Sequence, residues 1–364
     1  MALNIGIVGL PNVGKSTLFN ALTGSRSAQA ENYPFCTIDP NVGIVEVPDE
    51  RLQQISDIVH PAKIIPATVE FVDIAGLVKG ASKGEGLGNK FLAAIREVHA
   101  ICHVVRAFQN GDVTHVDGTV EPKRDRETIE TELILSDLDT IAQRMEKTER
   151  SAKTGGKEQE QELALLKKLK NQLDDGKLAV TLDFTKEEHD TLKRLPPLLT
   201  SKPILYALNV SEEQLADIDP QEIKREIGLT ENEQLVLICA KIEEDLQELS
   251  PEERKEYLSD LNADSGLSQL IHAAYAALGY ITYFTAGPQE ARAWTVSDGD
   301  TAPEAAGVIH TDFQKGFIRA DTIGFDDFIE HGGELGAKDA GKFRSEGKNY
   351  IVQDGDVMLF KFNV

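Results

Sequence analysis

Cysteine is scarce in this chain of 364 residues, which contains only Cys36, Cys102 and Cys239. The three are far apart and form no Cys-x-x-Cys pair, so the sequence supports neither a disulfide framework nor a zinc site. Basic residues are also few, because 38 lysines and arginines stand against 61 acidic residues and leave a net charge of −23. A field of that sign repels phosphate backbones, which excludes indiscriminate nucleic-acid binding and restricts any such contact to a local patch.

Targeting and membrane-spanning segments are missing as well. The first residues lack a basic region followed by an apolar core, so they predict a β-strand rather than a signal peptide. The longest uncharged stretch, residues 265–289, is interrupted by polar and helix-breaking residues, namely Gln269, His272, Gly279, Thr282, Gly287 and Pro288. We interpret this stretch as a helix followed by a strand, and we expect a cytoplasmic protein with no membrane partner.

Short apolar runs alternate with polar, helix-capable segments through much of the chain. The runs are residues 5–8, 42–47, 68–72, 101–105, 204–208 and 235–238. This alternation is typical of a parallel sheet with helices on its faces.

Two regions depart from that pattern. Residues 126–175 are densely charged and carry apolar residues at helical spacing, first Ile129, Leu133, Leu138, Ile141 and Met145, then Leu163, Leu166, Leu169 and Leu173. The break at residues 154–156 divides the two stripes, so we predict an inserted helical hairpin. From about Ile281 onward, short β-type runs between Gly- and Asp-rich turns predict a small β-rich domain.

A phosphate-binding loop is predicted at residues 9–17, Gly-Leu-Pro-Asn-Val-Gly-Lys-Ser-Thr, after the first strand and before a helix. In such a loop the backbone N–H groups and the helix N-terminus surround the phosphates. The expected nucleotide contacts are Asn12, Val13, Gly14, Lys15, Ser16 and Thr17. We expect Lys15 to pair with the β- and γ-phosphates and the Ser16 hydroxyl to ligate Mg²⁺.

Three further residues are candidates for the metal and phosphate shell. Asp73 ends the run at 68–72, where open α/β sheets bind ligands, and is expected to hold Mg²⁺ through water. The Gly76 N–H would face the γ-phosphate, and the Thr37 hydroxyl would complete the metal shell. Taken alone, Asp73 also fits a helix cap or turn, and Thr37 an ordinary loop residue. Leu77 stands where many GTPases have a water-orienting glutamine, so another group must position water.

The base-reading segment is expected after the run at 204–208, where the chain has Asn209-Val210-Ser211-Glu212 instead of the guanine-reading NKxD. The aspartate of NKxD accepts hydrogen bonds from guanine groups that adenine lacks, and the longer Glu212 cannot occupy its place, so the pattern favours adenine. The alternative is a plain helix start capped by Ser211. Residues 239–243, Cys-Ala-Lys-Ile-Glu, are a candidate for a loop closing over the base, with Ala240 and Lys241 as the expected nucleotide contacts.

Together these motifs resemble the YchF family of Obg-like ATPases, and the resemblance extends over essentially the whole chain. It implies an α/β P-loop NTPase of the G-domain type, with a helical coiled-coil insertion and a C-terminal β-grasp domain similar to TGS. It also implies ATP as substrate, Mg²⁺, and association with the ribosome. Asn12 matches a loop asparagine that helps to hold K⁺ in related members, and His115 matches a histidine that is a candidate to orient water. An exposed loop histidine is as often incidental.

The expected domains are a split nucleotide-binding domain at 1–125 and 200–280, a hairpin at 126–199 and a TGS-like domain at 281–364. The favoured function is an ATP-hydrolysing switch that docks to the ribosome. The alternatives are a binding module with ATP as a structural ligand, and a GTPase with a degenerate base motif. Candidate partner contacts in the last domain are Lys315, Arg319, Lys338, Lys342, Arg344 and Lys348, unless they only neutralise neighbouring acids.

Overall fold

The computed structural model describes residues 3–24, 41–75, 87–109, 119–152, 156–250, 253–254, 256–257 and 265–363. These residues form two compact units. The first comprises residues 3–43 and 71–267, and the second comprises residues 44–70 and 268–364.

The elements follow the chain in three groups. The first group is β1 (Asn4–Val8), α1 (Lys15–Thr23), β2 (Val42–Glu46), α2 (Glu50–Val59), β3 (Lys63–Ile65), β4 (Thr68–Asp73), α3 (Leu87–Glu97) and β5 (Ala100–Arg106). The second is α4 (Pro122–Ala152), α5 (Lys157–Asp174), α6 (Lys186–Leu192), β6 (Ile204–Asn209), α7 (Glu212–Asp217), α8 (Pro220–Glu226), β7 (Gln234–Ile238) and α9 (Ala240–Asp245). The third is α10 (Gly266–Ala277), β8 (Tyr280–Ala286), β9 (Glu290–Ser297), α11 (Ala302–Ile309), α12 (Thr311–Lys315), β10 (Phe317–Gly324), α13 (Phe325–Glu330), α14 (Glu334–Asp339), β11 (Arg344–Glu346) and β12 (Asp356–Phe362).

The first sheet has the strand order β2-β4-β1-β5-β6-β7, in which the pairs β1–β5, β5–β6 and β6–β7 are parallel. Strand β5 is buried along its whole length, as a strand covered on both faces should be. All six predicted apolar runs lie within or overlap these strands, so the predicted parallel sheet is confirmed. After β1 the chain adds β2 and β4 on one side of that strand, and it then adds β5, β6 and β7 on the other side. The carboxyl ends of β1 and β5 therefore flank a topological switch point, the usual ligand position in such sheets.

The inserted hairpin consists of α4 and α5, whose interface is an apolar core that includes Ile141, Leu166 and Leu169. Leu165 is buried in this core, whereas the predicted Leu163 is only half-buried. Across the helices, Arg144 donates two hydrogen bonds to Glu162, which also accepts one from Thr148. The described part of the chain contains no helix with the length and hydropathy needed to cross a bilayer.

The second unit is built on a mixed sheet with the order β11-β10-β12-β8-β9-β3. Helices α11 and α12 pack on one face, where Tyr283, Phe317 and Phe360 belong to the core. Helix α2 packs against β8, β9 and α13, and Arg51 of α2 forms an ion pair with Asp354. Residues 44–70 therefore pack with the C-terminal part of the chain, a division different from the boundaries expected from the sequence. Those boundaries remain a prediction.

Candidate nucleotide-binding site

The loop between β1 and α1 has a backbone that only particular residues accommodate. Asn12 and Gly14 adopt left-handed conformations with φ of 64° and 98°. A Cβ atom on Gly14 would lie 2.2 Å from Asn209 Nδ2, and one on Gly9 would lie 2.6 Å from the Val104 carbonyl oxygen. Glycine is therefore required at both positions for the loop to approach β5 and β6. Gly14 is also the N-cap residue of α1, which directs that helix's N-terminus at the loop.

Lys15 and Asp73 form the electrostatic centre of the site. Lys15 is buried and its Nζ donates a 2.8 Å hydrogen bond to the Leu10 carbonyl oxygen, which holds the ammonium against the loop. Burial lowers the pKa of Lys15 and raises the pKa of Asp73, while the attraction between the two groups opposes both shifts. Each charge is thus incompletely compensated by the protein, as expected where phosphate and metal charges bind.

The donor set at this end fits a hard cation. Ser16 is exposed at the first turn of α1 and supplies a hydroxyl, and Asp73 supplies a half-buried carboxylate at the end of β4. Hydroxyl and carboxylate oxygens are the ligands that Mg²⁺ prefers. The Asp73 backbone N–H donates to the Asn41 carbonyl oxygen, which fixes the strand end.

Asn209 links the phosphate loop to the base-reading segment. Its Nδ2 donates to the Val13 carbonyl oxygen at 2.9 Å, and its Oδ1 accepts a hydrogen bond from the Ala240 N–H at 3.1 Å. The side chain is 4% exposed, so both bonds are shielded from water. Val13 therefore contributes its carbonyl oxygen to this link and is itself buried.

The residues after Asn209 combine the two interpretations that the sequence left open. Ser211 caps α7 through a capping box with Gln214, as a plain helix start requires. Glu212 is the first residue of that helix and is exposed to the same cavity as Lys15. Val210 is 1% exposed and packs with Val105 and Leu208. The capping motif and the cavity lining coexist in one segment.

A cavity of about 800 Å³ joins the phosphate loop to the base-reading segment, and the predicted Val13 and Asp73 are not among the residues that line it. That volume suits a nucleotide-sized ligand. The predicted residues that line it are Asn12, Gly14, Lys15, Ser16, Thr17, Asn209, Val210, Glu212, Ala240 and Lys241. Ser211, Cys239 and Ile242 also line the cavity and lie within the two segments predicted to surround the base. The prediction missed Phe108, Gln109, Glu213 and Asp245. Phe108 and Gln109 follow the carboxyl end of β5 after Ala107, so the rule that located Asp73 at a strand end would also have located them.

Three predicted residues, Thr37, Gly76 and His115, lie outside the described residues, as does Leu77. Their roles remain predictions. The buried His103 packs beside Tyr206, with ring centroids 5.7 Å apart, and burial lowers its pKa to about 3. His103 is therefore a neutral histidine of the core.

Arg106 is a further buried residue beside the loop. It is 1% exposed at the end of β5, and its guanidinium donates to the carbonyl oxygens of Asn12 at 3.3 Å and Phe108 at 3.0 Å. It also lies 4.5 Å from the centroid of the Phe108 ring. Arg106 therefore connects the left-handed part of the phosphate loop to a residue that lines the cavity.

Comparison with known proteins gives two family matches. Residues 4–210 match the MMR_HSR1 family, described as 50S ribosome-binding GTPase, and residues 280–363 match the YchF-GTPase_C family, described as a protein of unknown function. The chain is 55% identical to Ribosome-binding ATPase YchF of Bacillus subtilis (strain 168) and 53% identical to its namesake in Haemophilus influenzae. In both cases the whole of each chain is covered.

Solved structures agree. The Schizosaccharomyces pombe YchF GTPase is 38% identical and superposes with a TM-score of 0.89 over 99% of this chain and 97% of that one. A GTP-binding protein from Pyrococcus horikoshii OT3 shares the fold at 19% identity, with a TM-score of 0.60 over 99% of this chain and all of that one. Identity at this level over full length, together with a phosphate loop and an Asn209–Glu212 segment on one cavity, shows that the chain belongs to the YchF family of P-loop NTPases.

Proposed function

We propose that this protein is a cytoplasmic ATPase whose nucleotide state controls its association with the ribosome. The observation that carries the proposal is the single cavity lined both by Lys15 and Ser16 and by the Asn209–Glu212 segment. Relatives at 53–55% identity carry the names ribosome-binding and ATPase, which supports both halves of the proposal.

At the phosphate end, the loop N–H groups and Lys15 bind the β- and γ-phosphates, and their charge stabilises the charge that develops on the transferred phosphoryl group. Ser16 and, through water, Asp73 would hold Mg²⁺, and the Thr37 hydroxyl would complete its shell. When bound, the ion neutralises charge on the phosphate oxygens. The Gly76 N–H donates to the γ-phosphate. Asn12 is proposed to contact K⁺ beside the phosphates.

At the base end, the hydrogen bonds of Asn209 leave capacity for adenine. One amide hydrogen of Nδ2 is used by Val13, and the second is available to adenine N7. The Oδ1 atom accepts from Ala240 and retains a second lone pair for the adenine N6 amine. Glu212 at the first position of α7 is longer than the aspartate that reads guanine, so the guanine pattern is not reproduced.

Water is proposed to be oriented by His115, because Leu77 offers no hydrogen-bonding group. Substitution of His115 by alanine should then depress turnover with little effect on ATP affinity. Normal turnover in that variant would remove His115 from the mechanism.

The domain assignment proposed is a nucleotide-binding domain at 1–125 and 200–280, a hairpin at 126–199 and a TGS-like domain at 281–364. The family match at residues 280–363 supports the last boundary.

A GTPase is the second candidate, since the S. pombe relative carries that name. Equilibrium binding of labelled ATP and GTP with Mg²⁺ separates the two, and we expect tighter binding of ATP. Measuring turnover in the same samples tests the alternative in which ATP is only a structural ligand.

Lys15→Ala should abolish turnover and weaken triphosphate binding, because it removes the charged donor at the phosphates. Tighter GTP binding, or unchanged turnover in the variant, would contradict the proposal.

A further inference from the structure

A buried carboxylate lies beside the nucleotide site without lining its cavity. Glu243 belongs to the segment 239–243 that the sequence predicts to close over the base, and it is 5% exposed on α9. It is not among the residues that line the nucleotide cavity. Burial raises the pKa of Glu243, because a charged carboxylate loses its hydration inside the protein. Such a group is retained only where hydrogen-bond donors replace the lost water.

The donors to this carboxylate come from the start of another helix. Glu243 accepts a 3.1 Å hydrogen bond from the Leu267 N–H and a 3.3 Å hydrogen bond from the Ser265 hydroxyl. The Gly266 N–H donates to it as well. Helix α10 begins at Gly266, and the first N–H groups of a helix have no partner within that helix. A negative charge at this position also interacts favourably with the helix dipole. Glu243 therefore caps α10, although it lies 24 positions before Leu267 in the chain.

Gly266 allows the start of α10 to approach this carboxylate closely. A Cβ atom on Gly266 would lie 3.0 Å from the Leu237 carbonyl oxygen and 3.3 Å from Ile238 Cγ1, at the end of β7. The same atom would lie 3.4 Å from Glu243 Oε1. A side chain at this position would therefore displace the first turn of α10 from the end of β7 and disturb the cap that Glu243 forms.

The helix that carries Glu243 also holds the base end of the nucleotide site. Helix α9 begins at Ala240, which lines the nucleotide cavity and donates the 3.1 Å hydrogen bond to Asn209 Oδ1. Glu243 lies three residues later, within one turn of the helix, and its N–H donates to the Cys239 carbonyl oxygen to close that turn. A displacement of Glu243 is therefore also a displacement of Ala240.

We propose that Glu243 is a positioning residue that couples the base end of the nucleotide site to the first turn of α10. It holds α9 where the Ala240 N–H meets Asn209, and it makes no contact with the nucleotide itself. Coupling free energies are reciprocal, so a base that orders Asn209 also stabilises the cap on α10. The contact between Asn209 and the base rests on the proposed function.

Helix α10 is the element through which this coupling reaches the rest of the chain. The boundary between the two compact units falls after Leu267, and residues 268–277 of α10 belong to the second unit. Nucleotide occupancy is thereby communicated to the helix that leads into the second unit. The proposed switch thus has a physical connection that starts at its nucleotide site.

The test uses the full-length protein and two readouts. Amide exchange at Gly266 and Leu267 is measured with and without Mg²⁺ and a non-hydrolysable ATP analogue, at a concentration that saturates each variant. Steady-state turnover of ATP gives KM and kcat separately. Glu243→Gln removes the charge with little change in shape. Glu244→Gln is the matched control, because Glu244 is the exposed neighbour on the same helix and does not line the cavity.

We expect the analogue to slow exchange at both amides by about fivefold or more in wild type and in the control, which is the lower end of typical coupling strengths. In Glu243→Gln the analogue should leave this exchange unchanged. KM for ATP should rise about fivefold in Glu243→Gln while kcat stays the same, because the groups at the phosphates are untouched. Gly266→Ala keeps the carboxylate and displaces the cap, so it should reproduce both effects and decides the question if Glu243→Gln does not fold.

Exchange at Gly266 and Leu267 that does not respond to the analogue in wild type would overturn the coupling. So would a full response in Glu243→Gln, equal effects in Glu244→Gln, or a fall in kcat as large as the rise in KM. Tighter binding of GTP than of ATP by wild type is a different result, because it contradicts the base assignment in the proposed function. The same exchange measurement with a GTP analogue then still decides the role of Glu243.

Discussion

Arg106 shows how much a single buried side chain contributes to the shape of the nucleotide site. Its guanidinium satisfies carbonyl oxygens on the phosphate loop and after β5, which stabilises the left-handed Asn12. A buried carbonyl left without a donor costs about 1–3 kcal/mol. The loop is therefore held by a residue that no phosphate-loop motif includes.

Arg106→Met should weaken ATP binding and lower the free energy of unfolding, by roughly 1–3 kcal/mol for each unsatisfied carbonyl. Arg106→Lys keeps the charge but cannot donate to both oxygens with fork geometry, so an intermediate effect is expected. Isothermal titration of ATP and denaturant unfolding measure the two quantities. ATP affinity that is unchanged in the methionine variant would show that the loop holds its shape without Arg106.

Glu212 is the residue proposed to set nucleotide choice most directly. Glu212→Asp shortens the carboxylate toward the length that reads guanine, and it should shift the ATP/GTP preference toward GTP by about 1–3 kcal/mol. Restoring the lysine of NKxD at Val210 would bury an ammonium among Val105 and Leu208, so the single substitution is the cleaner test. Competition binding measures the preference.

Glu213→Asp is the matched control for Glu212→Asp. Glu213 lines the same cavity one residue later, outside the Asn-x-x-Glu pattern. An equal shift in both variants would mean that the cavity's general charge, rather than Glu212, sets the preference.

Among the helices, the hairpin of α4 and α5 has an ion pair that reinforces its apolar core. Arg144, and with it Thr148, holds the pKa of Glu162 below its ordinary value of 4.5. A carboxylate with a lowered pKa in the folded state stabilises the fold above the unfolded value. We therefore expect this contribution to be present above about pH 4.5 and lost as the pH falls further.

Glu162→Gln should lower the local stability of the hairpin by about 1 kcal/mol and accelerate amide exchange in α4 and α5 roughly fivefold at neutral pH. At pH values below the folded pKa the variant and the wild type should converge. Glu160→Gln, at an exposed position of the same helix, is the control and should leave exchange unchanged. A difference between Glu162→Gln and wild type that persists at low pH would contradict the role of the charge.

The elements themselves were largely predictable, because their signals are local. Short apolar runs identified the parallel strands, and apolar residues at helical spacing identified α4 and α5 on either side of their break. The choice between Leu163 and Leu165 in the hairpin core was not predictable, since both fit a helical stripe and only packing against α4 decides. The candidate site was also predictable only where its signals are local. Sequence motifs singled out Lys15 and Asn209. The hydrogen bonds from Asn209 to Val13 and Ala240 were not predictable, because they join residues far apart in the chain.

The surroundings of the candidate partner contacts were not predictable, for a similar reason. Of the six cations that the sequence singled out, the structure pairs Arg319, Lys342 and Arg344 with carboxylates, namely Asp321, Asp327 and Asp356. Lys361, the cation opposite Arg319, lies 42 positions later, and only the strand register brings it there. Register is set by pairing over the whole sheet, which sequence spacing does not encode.

At the scale of the whole chain, the second unit combines residues 44–70 with the C-terminal residues, and this affects how the protein can be truncated. Helix α2 packs on β8, β9 and α13 and buries Leu52 and Ile55. A chain truncated before Ile281 loses those strands, and exposing two such side chains costs about 3–6 kcal/mol. We expect the truncated protein to aggregate and its residues 50–59 to lose protection from amide exchange.

Size-exclusion chromatography with light scattering and amide exchange measure this outcome, with the full chain as reference. A monodisperse truncated chain with protected residues 50–59 would show that α2 folds without the C-terminal strands. Point variants in the second unit are therefore better probes of partner binding than deletion of residues 281–364.

The second unit is assembled from two segments that are synthesised at different times, residues 44–70 and residues 268–364. Residues 44–70 leave the translating ribosome long before their partners, which begin at residue 268. At ordinary elongation rates that gap of about 200 residues lasts on the order of ten to forty seconds. During this interval α2 lacks β8, β9 and α13, on which it packs in the native fold, while residues 71–267 of the first unit are synthesised. Residues 44–70 therefore cannot complete their native packing in the order of synthesis. They complete it only after the strands of the second unit, of which β12 is the last, have emerged.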